Sequence, residues 1–376
     1  MLIRYSSDGR GKAVKKALVY TKKEHGITRD SIDPDAFRII SHLRNYGYDG
    51  YIVGGAVRDL LIGKKPKDFD IVTNAEPAKI KRLFRNSRII GKRFRLVHIF
   101  FGERIFEVST FRSTVDGSTG NVFGTMDEDV KRRDFTLNAL YYDPLKEQLV
   151  DYVGGVKDIR SRRLTSVIPL SSIFTDDPVR MIRAIKYAIS TGCTIPFFLG
   201  RKIRKSAPLL QPVSPSRLTE EIIKILNSGK AKDTVSGLLR YELYMYLQPC
   251  ACNLIDGDPD FACQYEQSLM NMDALVSSGQ DMRLGKKLVF MLEAFINRIT
   301  DWKGQPAEVY NTVYHECRKF ILPMNPPRLE LEFAVKQCLK EGGLAVRAPK
   351  QRERRGNQAR RERIQRQPGP LISAAT

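Results

Sequence analysis

The chain has 376 residues, 42% of them hydrophobic, which is enough for two or three domains with ordinary cores. Its 63 Lys and Arg against 42 Asp and Glu leave a formal net charge of +21, which favours a polyanionic partner, nucleic acid first and an anionic membrane surface second. No run approaches the roughly eighteen apolar residues of a membrane span, the N-terminal stretch lacks a secretory signal pattern, and the six cysteines (Cys193, Cys250, Cys252, Cys263, Cys317, Cys338) lack zinc-finger spacing, so they read as reduced thiols in a cytoplasmic chain.

Residues 1–30 read as a basic arm. "DPDAFRIISHLRNYG" predicts a helix that Asp33 or Asp35 can cap, with Phe37, Ile40 and Leu43 at helical spacing. "GYIVGG" predicts a short strand running into a glycine turn, and "AVRDLLIG" a short helix closed by Gly63. "FDIVT" is a second strand, and "PAKIKRLFRN" a helix with Pro77 in its first turn, where a missing N–H does no harm. "RLVHIFF", "RIFEVSTF", "TLNALYYD" and "LVDYVGG" complete an α+β region over residues 31–160. From about residue 165 the pattern is helical, with stretches such as "DDPVRMIRAIKYAISTG" and "SPSRLTEEIIKILNSG". We divide it into a neck, 161–230, and a body, 231–340. Residues 341–376 carry many arginines and few large apolar groups, which predicts a disordered tail.

The segment "KDFDIVT" places Asp68 and Asp70 two residues apart in a predicted strand, so both carboxylates share a face and repel. Hard carboxylates so placed suit divalent cations that bridge to substrate phosphates. Gly54 and Gly55, between a strand and a helix, let backbone N–H groups approach a phosphate. A third acid is expected, either Glu107 in "RIFEVSTF" or Asp134 in "RRDFTLNAL". Each feature alone has a plain structural reading: an exposed strand end, a turn, a solvated basic pair. Their order and spacing together are far more specific.

"YIVGGAVRDLLIGKKPKDFDIVT", "EVSTFR", "KRRDFTLNALYYD" and "FTDDPVRMIRAIKYA" together resemble the class II nucleotidyltransferases of the polymerase-β superfamily, which include tRNA CCA-adding enzymes and bacterial poly(A) polymerases. The resemblance covers roughly residues 25–230. It implies an α+β nucleotidyltransferase head with a mixed β-sheet, followed by an all-helical neck and body. It implies that Gly54 and Gly55 hold a triphosphate and that Asp68 and Asp70 bind metal with Glu107 or Asp134. Arg58, Arg133 and Asn138 would position the phosphates and sugar. Asp177 and Arg180 in "DDPVR" would read the base edge, and Arg183 could reach a phosphate. The same residues also read as an ordinary helix start, with Asp176 and Arg180 as an i,i+4 ion pair. The family often has Glu where Asp176 stands. Implied cofactors are Mg²⁺, or Mn²⁺ in its place, with ATP as substrate.

"RIIGKRFRLVHIFFG" resembles the segment that marks bacterial poly(A) polymerases among these relatives; it supplies Lys92, Arg93 and Arg95, with His98 following. "KKEHGITRDSID" and "GKKPKDFD" carry the same resemblance. Arg354, Arg355, Arg360 and Arg361 in the tail suit sequence-independent contact with RNA phosphates and bases. The loop at residues 112–124 is shorter than its counterpart. The expectation is a template-independent poly(A) polymerase acting on RNA 3′ ends in RNA processing and decay, alongside RNA-decay proteins and away from membranes. The alternatives are a CCA-adding enzyme and a non-catalytic RNA-binding protein on the same fold.

Overall fold

The computed structural model describes residues 2–7, 13–91, 96–113 and 122–344. Lys92, Arg93, Arg95 and the tail arginines Arg354, Arg355, Arg360 and Arg361 lie outside the described residues. A nine-stranded sheet forms the head. Its strands are β1 (Leu2–Ser7), β2 (Ala13–Thr21), β3 (Gly50–Val53), β4 (Asp70–Thr73), β5 (Ser87–Ile90), β6 (Leu96–Phe101), β7 (Arg104–Thr110), β8 (Leu140–Asp143) and β9 (Gln148–Asp151). They lie in the order β1-β2-β9-β8-β3-β4-β7-β6-β5. Among the described strands only β4 and β7 pair in parallel, so the sheet is mixed.

One face of the sheet is covered by three helices: α1 (Pro34–Asn45), α2 (Gly55–Leu61) and α3 (Pro77–Leu83). α1 starts as its sequence predicts, with Asp33 accepting a hydrogen bond from the backbone N–H of Asp35 at 2.8 Å. It buries Ile39, Ile40 and Leu43, and the facing strands bury Ile52, Ile71, Val97 and Val108. On the opposite face Val19, Val150, Tyr141, Val53 and Val72 form a second core with Met126 and Val130 of α4 (Met126–Lys131). Thr125 caps α4 by accepting from the Glu128 N–H at 3.4 Å, while Glu128 reaches back to the Thr125 N–H at 2.7 Å.

The segment expected as a basic arm contains β1 and β2, and β2 pairs antiparallel with β9. Ala17 and Val19 are buried, while Lys16 is exposed, the alternation of a strand with one face on a core. The strand expected around "FDIVT" begins at Asp70, so Asp68 lies in the connection before it. Lys67 donates to the Asn227 carbonyl at 2.7 Å, which holds that connection in place.

Beyond the sheet the described chain is helical. The helices used below are α5 (Val179–Thr191), α6 (Phe197–Ser206), α7 (Pro215–Leu226) and α8 (Ala231–Arg240). This first compact unit runs to Asp281 and takes in Phe320–Pro326. A second unit contains Met282–Lys319 and the chain from Pro327. Within it α9 (Leu284–Ile299) packs on α10 (Arg328–Glu341), burying Leu288, Leu292 and Ile296 with Leu331, Val335 and Leu339. Among the described residues, no helix is long and apolar enough to cross a membrane.

Candidate active site

The sheet register brings the predicted acids together. Val53 pairs with Asp70 on one side and Tyr141 on the other. β4 and β7 run parallel with Ile71 beside Val108, so Asp70 and Glu107, each one residue earlier, stand side by side on one face. Glu107 in turn pairs with His98, whose Nε2 lies 3.4 Å from Glu107 Oε1. The row therefore reads Tyr141, Val53, Asp70, Glu107, His98. It is apolar where α4 covers it and acidic where it opens.

Asp70 is open to solvent along one side yet surrounded by protein atoms elsewhere. Desolvation first, then the neighbouring charges of Glu107 and Asp68, push its pKa up to about 6, against a smaller opposing pull from Arg133. The three carboxylates thus share one field. Among the described residues, no three His, Cys, Asp or Glu side chains converge into a closed metal cage. Two or three oxygen donors open to substrate is nevertheless a fit for Mg²⁺, which commonly takes one or two carboxylates and completes its shell with phosphate and water.

Asp134 is placed differently. It is buried, accepts from the Phe135 N–H at 2.8 Å and from Asn138 Nδ2 at 3.4 Å, and its Oδ2 lies 2.9 Å from Arg183 Nη2. That last contact is an ion pair without hydrogen-bond alignment. Of the two candidates for the third acid, only Glu107 neighbours Asp70 in the sheet.

Gly54 caps α2 with φ +68°, a conformation that L side chains rarely adopt. A Cβ there would stand 3.8 Å from Arg133 Nη1, and one at Gly55 would stand 3.6 Å from Arg58 Nη2. Both arginines therefore flank the turn. Arg133 is held by α4, β8 and the segment between them: its Nε donates to the Tyr141 hydroxyl at 2.8 Å, its Nη2 to Asp129 at 2.9 Å and its Nη1 to the Asn138 carbonyl at 3.3 Å. Asp129 is fully buried and also accepts from the Tyr141 hydroxyl at 2.6 Å and from Arg132. Burial works against its charge, but Arg133, Arg132 and the Tyr141 hydroxyl outweigh it and hold its pKa down at about 2.

Arg58 donates from Nη1 to Asn138 Oδ1 at 2.9 Å and lies 5.2 Å from the centroid of the Tyr187 ring. Arg183 donates to the Tyr187 hydroxyl at 2.9 Å. Arg58, Asn138, Asp134, Arg183 and Tyr187 therefore form a closed circuit joining α2, the segment after α4, and α5. Arg183 is committed to this circuit by Asp134 and Tyr187. Burial opposes its charge, yet these partners raise its pKa further.

At the start of α5, Asp177 Oδ1 accepts from the Val179 N–H at 3.2 Å, the capping contact its sequence predicts. Arg180 donates to the Ile173 carbonyl at 3.0 Å, with Asp176 at 4.0 Å. The side chains of Asp177 and Arg180 form no ion pair among the described residues, though the Arg180 backbone N–H donates to the Asp177 carbonyl at 3.2 Å. The partner of Asp177 is Arg217 on α7, whose Nη2 lies 2.8 and 2.9 Å from its two oxygens. Lys186 on α5 and Glu221 on α7 add a buried ion pair at 2.7 Å.

Sequence reasoning missed Asp129, Tyr187 and Arg217. Arg217 lies 40 residues from Asp177 and Tyr187 sits in an apolar helical pattern. Asp129 carried one readable signal, an acid three and four residues before Arg132 and Arg133.

Residues 50–165 match the poly A polymerase head domain family, and residues 200–254 match the family described as the probable RNA and SrmB-binding site of polymerase A. The chain is 36% identical to Poly(A) polymerase I of Escherichia coli O6:H1 over 328 residues, which cover 82% of this chain and 70% of that one. It is 33% identical to the CCA-adding enzyme of Geobacillus kaustophilus over 225 residues, 58% of this chain and 55% of that one. Its fold is similar to the crystal structure of the Bacillus stearothermophilus CCA-adding enzyme in complex with CTP, with a TM-score of 0.55, 23% identity and 90% of each chain covered. The chain belongs to the class II tRNA nucleotidyltransferase and poly(A) polymerase family, and it is a nucleotidyltransferase.

Proposed function

We propose that the protein adds AMP from ATP to RNA 3′ ends without a template, releasing pyrophosphate. The observation that carries this reading over CCA addition is the reach of the sequence match. Similarity to Poly(A) polymerase I runs over 82% of the chain, against 58% for the Geobacillus CCA-adding enzyme. A CCA-adding activity is the second reading, favoured by that 33% identity.

In this reading the chain's own residues bind and orient. Asp68 and Asp70, with Glu107 beside them, would hold Mg²⁺ or Mn²⁺. Bound there, a divalent cation supplies charge neutralisation on the phosphates and activation of the attacking hydroxyl. The backbone at Gly54 and Gly55 approaches the triphosphate, and Arg58 and Arg133 flank it. Asn138 fixes both guanidinium groups at once. Asp177 and Arg180 meet the adenine edge, Asp177 held in place by Arg217. Asp134 is a positioning residue that orients Arg183. The RNA 3′ oxygen forms a bond to the α-phosphorus of ATP, the bond to the pyrophosphate oxygen breaks, and the hydroxyl proton is released. No covalent enzyme intermediate is needed; rate comes from positioning and charge stabilisation.

We divide the work among a head at 31–160, a neck at 161–230 that meets the base and RNA, and a body at 231–340 that meets RNA. The six free cysteines support a cytoplasmic setting, where RNA-decay proteins are candidate partners. The test is pyrophosphate release from ATP with two RNAs, one ending in a 3′-hydroxyl and one in a 3′-deoxy nucleotide. Release only with the first, and none from Asp70→Asn, supports the reading. Equal release with both would overturn it.

A further inference from the structure

Away from the acidic row, α6 and the end of α8 enclose a groove of about 530 Å³. Phe197 and Phe198, adjacent at the start of α6, are 75% and 70% exposed, and their rings meet edge to face at 5.5 Å. Two neighbouring phenylalanines held out to solvent contribute nothing to the core. The groove beside them is lined by Phe197, Arg201, Arg204, Arg240 and Tyr241.

The groove is both basic and aromatic. α6 reads FFLGRKIRKS, with four cations and no acid. Arg204 is anchored: its guanidinium lies 5.1 Å from the centroid of the Tyr241 ring and donates to the Arg240 carbonyl at 3.3 Å. Among the described residues, Arg201, Lys202, Lys205 and Arg240 have no carboxylate partner. Gly200 lets α6 approach Tyr241 closely, since a Cβ there would stand 3.1 Å from the Tyr241 ring. Flat exposed rings beside unpaired cations match the chemistry of unpaired bases on a phosphate backbone. A duplex hides its base faces and would leave the phenylalanines without use.

We propose that Phe197 and Phe198, with Arg201 and Arg240, form a stacking subsite for single-stranded RNA upstream of the reacting 3′ end. This rests on the reading of the protein as an RNA-tailing enzyme and names the RNA form and the residues that hold it. In the chain Phe197 follows the C-terminal end of α5, while Asp177 and Arg180 lie at the N-terminal end of α5. The 13 residues of α5 span about 20 Å.

The experiment is fluorescence anisotropy of a labelled single-stranded RNA 20-mer and of a blunt RNA hairpin, without ATP, over a range of salt. The full chain is compared with Phe197→Ala/Phe198→Ala and with Arg201→Ala/Arg240→Ala. Stacking is worth enough that the first variant should bind the single strand at least about tenfold more weakly, with the hairpin little changed. The second should reduce the slope of log affinity against log salt by about 1.4, two single-strand phosphate contacts. Circular dichroism melts check that both variants fold. Wild-type affinity and salt slope in folded variants would overturn the proposal and leave the phenylalanines as a docking face for a protein. Loss of strand binding would uphold the subsite even if the wild-type chain released no pyrophosphate, so the two readings fail separately.

Discussion

Arg217 on α7 spans the two oxygens of Asp177 at the start of α5, with its Nη2 at 2.8 and 2.9 Å. Asp177 is thereby fixed from outside its own helix, while Arg180 is fixed by the Ile173 carbonyl. The pair expected to read the base is thus held by two different anchors. Arg217→Ala should leave Asp177 free to rotate. We expect kcat/KM for ATP to fall roughly tenfold or more, as for other residues that orient a ligand-contacting group. The preference for ATP over CTP should narrow with it, and Arg217→Lys should restore part of the loss. Steady-state kinetics with each nucleotide checks this.

Glu107 and Asp134 should separate on stability and rate. Glu107 is exposed and beside Asp70, so Glu107→Gln should keep the fold and lower kcat by about a hundredfold, the scale of one lost transition-state electrostatic contact. Asp134 is buried against Arg183, which keeps part of its solvent exposure. Asp134→Asn should therefore cost on the order of 2 kcal/mol of stability, below the range for a fully buried pair. Urea unfolding and single-turnover rates on both variants measure the two effects.

Asp129 sets an acid limit on the head. Its folded pKa, about 2, lies below its unfolded value of 3.8. A depressed carboxylate pKa contributes stability that is present above the unfolded value and is lost as pH falls through the folded one. The contribution is on the order of 2 kcal/mol. The stability gap between wild type and Asp129→Asn should thus hold above pH 4 and narrow by that amount towards pH 2. Urea unfolding at stepped pH checks it; a constant gap across that window would contradict the assignment.

Local physics made much of the head readable. The Asp33 cap, the Gly54 turn and the alternating strand around Val108 each depend on a few consecutive residues. The acids at 68 and 70 were also readable, because motif spacing carried them, with the third acid left open between Glu107 and Asp134. Other features depend on distant partners. β2 reads as a basic arm until β9 pairs with it, since an edge region tolerates lysines that a central strand would not. That Glu107, and not Asp134, stands beside Asp70 follows from the parallel register of β4 and β7, which no local pattern reports. Arg217 became visible only when α5 and α7 were brought together, and Tyr187 only when α5 met Arg58 of α2.

The most direct test of the central claim is primer extension with purified protein and Mg²⁺. One reaction holds a generic single-stranded RNA with ATP alone, and another holds tRNA lacking its 3′ terminus with CTP and ATP. The account predicts long ladders of AMP additions on the generic RNA, absent with Asp70→Asn. Extension of the tRNA alone, stopping after two C residues and one A, would contradict it and make the protein a CCA-adding enzyme.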